Sequence, residues 1–295
     1  MSRVVVVGDV MLDVVTRPLG PIAPTSDTSA VVRVGRGGAG ANLAVRLAAA
    51  GHDVTYVGVA GRDAAADVVR ADLKAAGVRD RITQVEGHTG VVVSLVAPDG
   101  QRAMVTDRGV NPMLDIAHLT VVLAEGFDHL HVSGYTLLDA ATRDAGAAGL
   151  ARARETGRTT SVDVCSAEPL RRVGPNVFAA ASRDASTLFA NEEEATVLAH
   201  ASDADEALAV LSGRYDEVVV TRGARGIVVA RGTQRWSAPA AGGDVLDTTG
   251  AGDAATGAYL AARLDGGDVA VAMSSAMAAA ADVVATLGSA GQSRL

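Results

Sequence analysis

Several residue types are scarce in this 295-residue chain, and each shortage excludes a class of protein. The only lysine is Lys74, which lies in an amphipathic helical pattern typical of a solvated surface, so a Schiff-base lysine or a phosphate-binding lysine is excluded unless Lys74 serves. The only cysteine, Cys165, excludes an intramolecular disulfide and a cysteine-rich zinc site. Aromatic residues make up 3 % of the chain, which leaves few rings for stacking a nucleobase.

Positive charge and long apolar runs are also missing. A formal net charge of −8 and a pI near 5.2 argue against a partner that is nucleic acid or an anionic membrane. The first apolar run is too short for a signal peptide, and Asp282 interrupts the alanine-rich stretch 276–285, so no membrane span is expected. Apolar residues still make up 48 % of the chain, which predicts a globular, cytoplasmic protein with a sizeable core.

What is present is an alternation of apolar strand patterns and helical patterns. Buried strands are predicted at 4–7, 55–59, 129–132, 160–164, 186–190 and 217–221. Helices are predicted at 41–50, 64–76, 140–156, 191–199, 203–212 and 254–263. This alternation is typical of an α/β protein with a mostly parallel sheet covered on both faces.

Two stretches interrupt the alternation. Residues 13–34 and 90–106 have the pattern of antiparallel strands, and the second stretch contains a hairpin turn at Pro98-Asp99-Gly100. They predict a small β-sheet that stands off the main sheet as a lid; the alternative is that they extend the edge of the main sheet. No linker is visible, so we expect one domain over residues 1–295, with lid strands inserted at about 13–34 and 90–106.

The segment Asp247-Thr-Thr-Gly-Ala-Gly-Asp253 precedes a predicted helix. A loop of small residues that opens a helix presents free backbone N–H groups, and the helix dipole adds to their attraction for an anion such as a phosphoryl group. Asp253 is open to two interpretations: an ordinary carboxylate of a first helical turn, or a general base beside a transferred phosphoryl group. The loop alone does not decide between them.

A second glycine-rich segment, Gly37-Gly38-Ala-Gly40-Ala-Asn42-Leu-Ala44 running to Gly51, decides it. Together with the loop at 247–253 it resembles the two signature segments of the ribokinase/PfkB family of carbohydrate kinases. Further segments at 8–13, 57–63, 191–194 and 221–226 are similar to that family and occur in its order. The resemblance implies a ribokinase-like three-layer α/β/α fold with a small β-sheet lid. It also implies ATP-dependent phosphorylation of a hydroxyl group on a sugar or sugar-like acceptor.

The resemblance also implies a role for each matching residue. Asp253 would be the catalytic base, and the backbone of Gly250, Ala251, Gly252 and Asp253 would form the anion hole. The acceptor would be bound by Asp13, Gly38 and Asn42, and the nucleotide by Asn191, Glu194, Thr221 and Gly223. Glu194 would organise Mg²⁺ through water, Asp247 and Thr249 would contribute to a monovalent cation site for K⁺, and Met277 and Gly288 would flank the adenine.

Some residues depart from the family pattern or carry two interpretations. Met11 and Ala39 stand where ribokinases commonly have asparagine and lysine, which speaks against ribose itself as the acceptor. Asp9 either binds a substrate hydroxyl or caps a turn, and Asp163 either contacts the acceptor or a loop backbone. The arginines that either meet an acceptor phosphate or are solvated are Arg36, Arg102 and Arg108.

Three other functions compete with a sugar kinase. Gly35-Arg-Gly37-Gly-Ala-Gly40 spells a dinucleotide-binding pattern followed by Asp53, but it does not follow the first strand. A nucleoside kinase would use the aromatic residues nearest the site, which are Tyr135, Phe127 and Phe178. A sugar- or nucleotide-binding protein without turnover would not need Asp253.

Three smaller expectations complete the analysis. His129 and His131 alternate along a predicted strand and are expected to flank it rather than to converge on a metal. No histidine is spaced to activate Cys165, which is expected to be unreactive. The edges of the lid strands are expected to form a homodimer surface.

Overall fold

The computed structural model describes residues 1–97, 102–242 and 250–285. Its first strand, β1 (Arg3–Val7), consists almost wholly of valines buried on both faces of a sheet, as expected for a central parallel strand. The other strands of the described residues are β2 (Met11–Pro18), β3 (Ala30–Gly37), β4 (Asp53–Gly61), β5 (Arg79–Val85), β6 (Gly90–Val96), β7 (Arg102–Asp107), β8 (His129–Val132), β9 (Thr159–Asp163), β10 (Thr187–Asn191), β11 (Glu217–Thr221), β12 (Ile227–Arg231) and β13 (Gln234–Ala238).

The main sheet has nine strands in the order β13-β12-β11-β10-β9-β8-β1-β4-β5. All neighbouring pairs from β11 to β5 are parallel, whereas the pairs β11–β12 and β12–β13 are antiparallel, so β12 alone runs opposite to the other strands. The chain builds outward from β1 in both directions, so a crevice opens at the carboxyl ends of the strands, where such sheets bind ligands. The mostly parallel sheet is confirmed. Strands β5, β12 and β13 were not predicted; the edge strands β5 and β13 are only half-buried and contain charged as well as apolar residues.

Helices cover both faces of the main sheet. They are α1 (Ala39–Ala49), α2 (Ala64–Ala75), α3 (Ile116–Ala124), α4 (Gly134–Leu138), α5 (Arg143–Glu155), α6 (Ala167–Val173), α7 (Pro175–Ala181), α8 (Glu192–Ala199), α9 (Ala204–Leu211), α10 (Ala251–Leu264) and α11 (Val269–Val284). One core cluster packs helices α3 to α9 against one face, and a second packs α1, α2, α10 and α11 against the other. The three-layer arrangement is therefore confirmed. No helix of the described ranges is long and apolar enough to cross a bilayer.

Helix boundaries differ from prediction at a few places. The helix predicted over 140–156 begins only at Arg143, because α4 ends at Leu138 and Thr142 turns back to donate its hydroxyl to the Thr136 carbonyl (2.7 Å). The helix predicted over 254–263 begins earlier, at Ala251. Helices α3, α4, α6, α7 and α11 were not predicted. Lys74 lies exposed in the last turn of α2, as the amphipathic pattern predicts.

A separate small sheet has the order β3-β2-β6-β7. This contradicts the alternative in which its strands extend the main sheet. Strands β2 and β3 are antiparallel, as are β6 and β7, but the central pair β2–β6 is parallel. The purely antiparallel prediction is wrong at that pair because a long crossover through α1, β4, α2 and β5 returns the chain in its original direction. The predicted turn at 98–100 lies outside the described residues.

The dinucleotide-binding pattern at 35–40 belongs to this small sheet and not to a βαβ unit. It spans the end of β3 and the start of α1, and Asp53 is the first residue of β4. The glycines therefore follow an antiparallel strand. The placement removes the structural basis of a dinucleotide-binding site there.

Hydrogen bonds of the buried Asn111 and the half-buried Asp63 join the small sheet to the main sheet. The Asn111 carboxamide accepts a hydrogen bond from the Val10 N–H (2.7 Å) and donates one to the Val10 carbonyl (3.0 Å). The Asp63 carboxylate accepts the N–H (2.7 Å) and the hydroxyl (2.6 Å) of Thr89. These bonds fix the connections before β2 and before β6, which we call the junction.

Two buried histidines correct a prediction. His129 and His131 lie on the same face of β8, since residues two apart on a strand share a face, and both rings contact the Ser161 hydroxyl (2.8 and 2.9 Å). They therefore converge on one side chain rather than flank the strand. Burial lowers the pKa of each to about 3, so both rings are neutral.

Candidate functional site

Two cavities lie side by side at the carboxyl ends of the main-sheet strands. The first, here called the lid-side cavity, lies between the small sheet and the main sheet and is lined by Asp9, Asp13, Gly38, Asn42, Ser94 and Thr106. The second, here called the sheet-side cavity, is lined by Asp163, Asn191, Glu194, Thr221, Gly223 and Gly252. Gly250, Asp253 and Cys165 line both cavities. Residues more than 200 positions apart in the chain thus meet around one carboxylate.

The start of α10 forms the wall between the two cavities. Gly250 precedes the helix in a left-handed conformation (φ 76°), which glycine adopts without strain, and its carbonyl accepts the Ala254 N–H at 2.8 Å. The backbone N–H groups of the first helical turn have no acceptor within the helix, so they are available to an anion. Ala251, Gly252 and Asp253 all belong to this first turn.

Asn42, on α1, reaches across to Asp253. Its carboxamide Nδ2 donates to Asp253 Oδ2 at 2.8 Å, and its Oδ1 accepts from the guanidinium of Arg36. Arg36 is 5 % exposed, so its interpretation as a solvated surface arginine is wrong. The sequence assigned Asn42 to the acceptor alone, but the structure shows that this side chain also contacts the carboxylate.

A glycine pair brings β3 close to β2 beside the buried Asp13. Gly38 has φ 90°, and a Cβ atom there would lie 2.5 Å from the Asp9 carbonyl oxygen. A Cβ atom on Gly37 would lie 2.9 Å from the Asp13 Cβ. No side chain fits at Gly38 without moving the backbone, so this close approach explains the glycine.

Asp9 makes a contact that the sequence did not suggest, and its role in binding a substrate hydroxyl stays a prediction. Its carboxylate pairs in a bidentate manner with Arg108, with N···O distances of 2.7 and 2.8 Å, and Arg108 also binds Asp139. Arg108 lines the lid-side cavity. It is therefore the member of the predicted arginine trio that faces the cavity; Arg36 is buried behind Asn42, and the side chain of Arg102 lies outside the described part.

In the sheet-side cavity, Asn191 and Glu194 cap the start of α8. The Asn191 side chain accepts the Glu194 N–H (2.9 Å), and the Glu194 carboxylate accepts the Asn191 N–H (2.8 Å). Burial raises the pKa of Glu194 to about 7, and the neighbouring carboxylates of Asp163 and Asp253 add to the rise. Thr221 ends β11 beside them, and Gly223 follows it.

Asp163 contacts a loop backbone, which was one of its two predicted roles. Its Oδ1 accepts the Gly134 N–H at 2.9 Å and the Cys165 thiol at 3.0 Å. Burial raises the pKa of Asp163 to about 6 and that of the Cys165 thiol well above its usual range. Cys165 is thus a protonated thiol, which is consistent with the prediction that it is unreactive.

The donor set around Asp253 suits a hard cation held through water. Asp163, Glu194 and Asp253 all line the sheet-side cavity, and carboxylate oxygens are the ligands that Mg²⁺ prefers. Among the described residues, however, no group of three or more His, Cys, Asp or Glu side chains can hold a metal ion directly. A cation here would be bound through water and through a ligand's phosphates.

The other residues that the sequence singled out fall into three groups. Asp247, Thr249 and Gly288 lie outside the described residues. Met277 is buried in the core on the α10 side of the sheet. Tyr135 lines the lid-side cavity, whereas Phe127 and Phe178 are buried in the core on the other face.

Sequence reasoning missed the connections between these residues. The ion pair of Asp9 with Arg108 and the bond of Asn42 to Asp253 join distant positions, which no local spacing reveals. The lining residues Val92, Ser94, Met104 and Thr106 come from β6 and β7. Their alternation along the predicted strands could have identified them, because every second side chain of a strand lies on the same face of the sheet.

Comparison with known proteins bears on what this site does. The model of the pfkB family carbohydrate kinases matches residues 1–294. A curated relative, the ATP-dependent ribose-1-phosphate kinase of Halopiger xanaduensis, is 34 % identical over 276 residues, which cover 91 % of this chain and 87 % of the relative. The bifunctional protein HldE of Pseudomonas paraeruginosa is 31 % identical over 303 residues; the match covers 98 % of this chain but only 61 % of HldE.

Solved structures share the fold. An adenosine kinase from Sinorhizobium meliloti superposes with a TM-score of 0.89 at 24 % identity, covering 98 % of this chain and 95 % of that one. A structure described as a ribokinase II from E. coli, in complex with ATP and Mg²⁺, gives a TM-score of 0.87 at 22 % identity, covering 100 % and 96 %. At these identities the likeness concerns the fold alone.

Proposed function

This chain belongs to the pfkB family of carbohydrate kinases, and from that premise we propose that it transfers the γ-phosphoryl group of ATP to a hydroxyl group of a sugar or sugar-like acceptor, with Asp253 as the base. The observation that carries the proposal is the position of Asp253 and Gly250, which line both the lid-side and the sheet-side cavity. A phosphoryl group passing from one cavity to the other has to pass this point.

The acceptor occupies the lid-side cavity in this proposal. Asp13 accepts hydrogen bonds from acceptor hydroxyls, and Gly38 lets the acceptor approach the backbone. The reacting hydroxyl gives its proton to the Asp253 carboxylate while its oxygen forms a bond to the γ-phosphorus. The bond from that phosphorus to the β–γ bridging oxygen breaks, and ADP leaves with the electron pair.

The nucleotide occupies the sheet-side cavity. Asn191, Thr221 and Gly223 hold its phosphates and ribose, and the first-turn N–H groups of Gly250 to Asp253 form the anion hole for the transferred group. Glu194 would hold Mg²⁺ through water, and the bound ion would neutralise phosphate charge. A K⁺ site involving Asp247 and Thr249 is part of the proposal, although both residues lie outside the described part.

Two features bear on the acceptor class. Of the three aromatic residues considered for stacking a nucleobase, Phe127 and Phe178 are buried in the core, and Tyr135 alone lines the lid-side cavity among them. A single ring offers little surface for stacking a base, which supports a sugar over a nucleoside. The curated relative named for ribose-1-phosphate makes phosphorylated sugars acceptors to test as well, and Arg108 is the cation in the cavity that would meet such a phosphate.

Turnover of ATP to ADP with Mg²⁺ and K⁺ tests the proposal against pentoses, hexoses, sugar acids, sugar phosphates and nucleosides. We expect Asp253→Asn to lower kcat by at least about 100-fold and to leave the affinity for ATP within about twofold. The matched control is Asp265→Asn, since Asp265 is exposed at the far end of the same helix. Turnover of Asp253→Asn near the wild-type rate would show that Asp253 is not the base.

A complete lack of turnover would have two meanings. With ATP binding retained, it would favour a binding protein without turnover, the alternative from another functional class. Without ATP binding, it would refute the assignment of the sheet-side cavity to the nucleotide. A nucleoside accepted in preference to every sugar would establish the nucleoside kinase instead.

The small sheet serves as the lid and the dimer surface in this proposal, and the chain acts as a single domain. Its edge strands expose Val32, Val34 and Val105, each more than half exposed. Exposed apolar edge strands favour pairing with a second copy. Light scattering should report a dimer for the wild type and a monomer for the variant Val32→Glu/Val34→Glu; a monomeric wild type would remove the dimer from the proposal. The cytoplasm, where ATP is available, is the proposed location.

A further inference from the structure

Three residues from three elements form a buried row that ends at Asp253. Arg36 lies on β3 of the small sheet, Asn42 on α1 and Asp253 on α10. The Arg36 Nη1 donates to Asn42 Oδ1, and Asn42 Nδ2 donates to Asp253 Oδ2 at 2.8 Å. Arg36 and Asn42 are 5 % and 7 % exposed, so water does not compete freely for these bonds.

The chemistry of the three groups fixes the direction of the row. A guanidinium can only donate hydrogen bonds, whereas a carboxamide has one accepting end and one donating end. With Arg36 in place, the Asn42 oxygen faces the guanidinium, and its NH₂ group faces Asp253. Without Arg36, the Asp253 carboxylate alone favours this orientation, and the Asn42 oxygen loses the donor that holds it in place.

Arg36 also adds a cation to an environment rich in carboxylates. Around Asp253 lie the cations Arg36, Arg46 and Arg108 and the carboxyl groups Asp9, Asp13, Asp163 and Glu194. Burial lowers the pKa of Arg36, and the nearby charges of Asp72 and Asp253 oppose that effect. The Nε of Arg36 is buried with no partner in the described ranges, so structural contacts do not saturate its guanidinium.

We propose that Arg36 is a positioning residue for the phosphoryl-transfer reaction: it orients Asn42 so that the amide N–H groups hold the Asp253 carboxylate in place for the acceptor hydroxyl. The inference rests on the proposed role of Asp253. Because Arg36 belongs to β3, the geometry of the base depends on the position of the small sheet, although Asp253 itself lies on α10, which packs against the main sheet.

A double-mutant cycle tests the proposal. We expect Arg36→Gln to lower kcat about 10- to 100-fold, because the base is misoriented, with the KM for ATP nearly unchanged. Asn42→Ala should lower kcat as well. If Arg36 acts through Asn42, the kcat of the double variant should equal that of Asn42→Ala alone to within about threefold. Losses that multiply in the double variant would overturn the proposal.

The pH profile supplies a readout that a purely structural role would not move. Loss of a cation near Asp253 favours its protonated form, so the acidic limb of kcat/KM should move to higher pH in Arg36→Gln and stay in place in Arg36→Lys. Arg33→Gln is the matched control, since Arg33 is exposed on the same strand. An unmoved acidic limb in Arg36→Gln would contradict the proposal.

Two further variants keep the outcomes separate. If Arg36→Gln does not fold, as judged by circular dichroism, Arg36→Lys replaces it in the cycle, because it keeps the charge but loses the planar donor geometry. An inactive Asp253→Asn together with a fully active Arg36→Gln refutes the role of Arg36 and leaves the base assignment standing. An active Asp253→Asn refutes the base itself, and the role of Arg36 with it.

Discussion

Acid should weaken the fold through the two histidines that contact Ser161. The folded chain holds His129 and His131 at a pKa of about 3, whereas the value in an unfolded chain is about 6.5. Between these values the unfolded chain binds more protons, so the free energy of unfolding falls as the pH is lowered through this window. From pH 7 to pH 5 the loss is about 2 kcal/mol per histidine, because a group with a pKa near 3 is still neutral at pH 5.

Two carboxyl groups act in the opposite direction. Burial holds Asp163 at a pKa of about 6 and Glu194 at about 7, both above the values of exposed carboxyl groups. The folded chain therefore takes up their protons first and gains stability as the pH falls through those values. The wild-type slope is a sum of opposing contributions, so the test has to compare variants.

Urea unfolding at pH 7 and pH 5, followed by circular dichroism, measures the effect. Between pH 7 and pH 5, the free energy of unfolding of His129→Asn should fall by about 2 kcal/mol less than that of the wild type, whatever the stability of the variant at pH 7. The control is His200→Asn, because His200 is exposed and has a left-handed conformation (φ 55°) that asparagine tolerates. Equal pH dependence in the wild type and His129→Asn would refute the assignment of a buried, neutral ring.

The remaining predictions concern the walls of the two cavities. Gly38→Ala should lower the free energy of unfolding by about 1–3 kcal/mol, because its Cβ would press on the Asp9 carbonyl at φ 90°, and an unchanged urea midpoint would contradict this. The Asp9 and Arg108 side chains should show a coupling of about 1–3 kcal/mol in a double-mutant cycle of unfolding (Asp9→Asn, Arg108→Met), and additive losses would show that their bidentate contact contributes nothing. Asn191→Ala should cost about 0.5–2 kcal/mol by removing the capping box of α8 and should raise the KM for ATP; an unchanged KM would separate the cap from the nucleotide site.

The sequence allowed good prediction where neighbouring residues act together. The small residues before α10 and the Asn191–Glu194 spacing each lie within one helical turn, so a short pattern contains the whole arrangement. The buried strands of the main sheet were equally clear, because valine runs such as β1 are rare outside a sheet interior. The mostly parallel sheet covered on both faces followed from these local patterns, and the family followed from the resemblance of the glycine-rich segments.

The parts that could not be predicted depend on contacts between distant positions. Arg108 and Asp9 are 99 residues apart, and Asn42 and Asp253 are 211 apart, so only the fold brings each pair together. The edge strands β5 and β13 were missed because half-buried strands with charged residues resemble loops. The prediction that His129 and His131 flank their strand failed for a different reason. Residues two apart on a strand share one face, so the sequence pattern itself places both rings on the same side.

The junction has a mechanical consequence for the small sheet. Four short connections join it to the rest of the chain, at residues 8–10, 38, 86–89 and 108–110, and hydrogen bonds of the buried Asn111 and the half-buried Asp63 hold two of them. A sheet held in this way does not swing on a free hinge. In the proposed closure over a ligand, we expect the sheet to stay clamped at the junction while its strands bend, with displacement growing toward their far ends. Amide hydrogen exchange should accordingly be slowest at the clamped end and fastest at the strand tips.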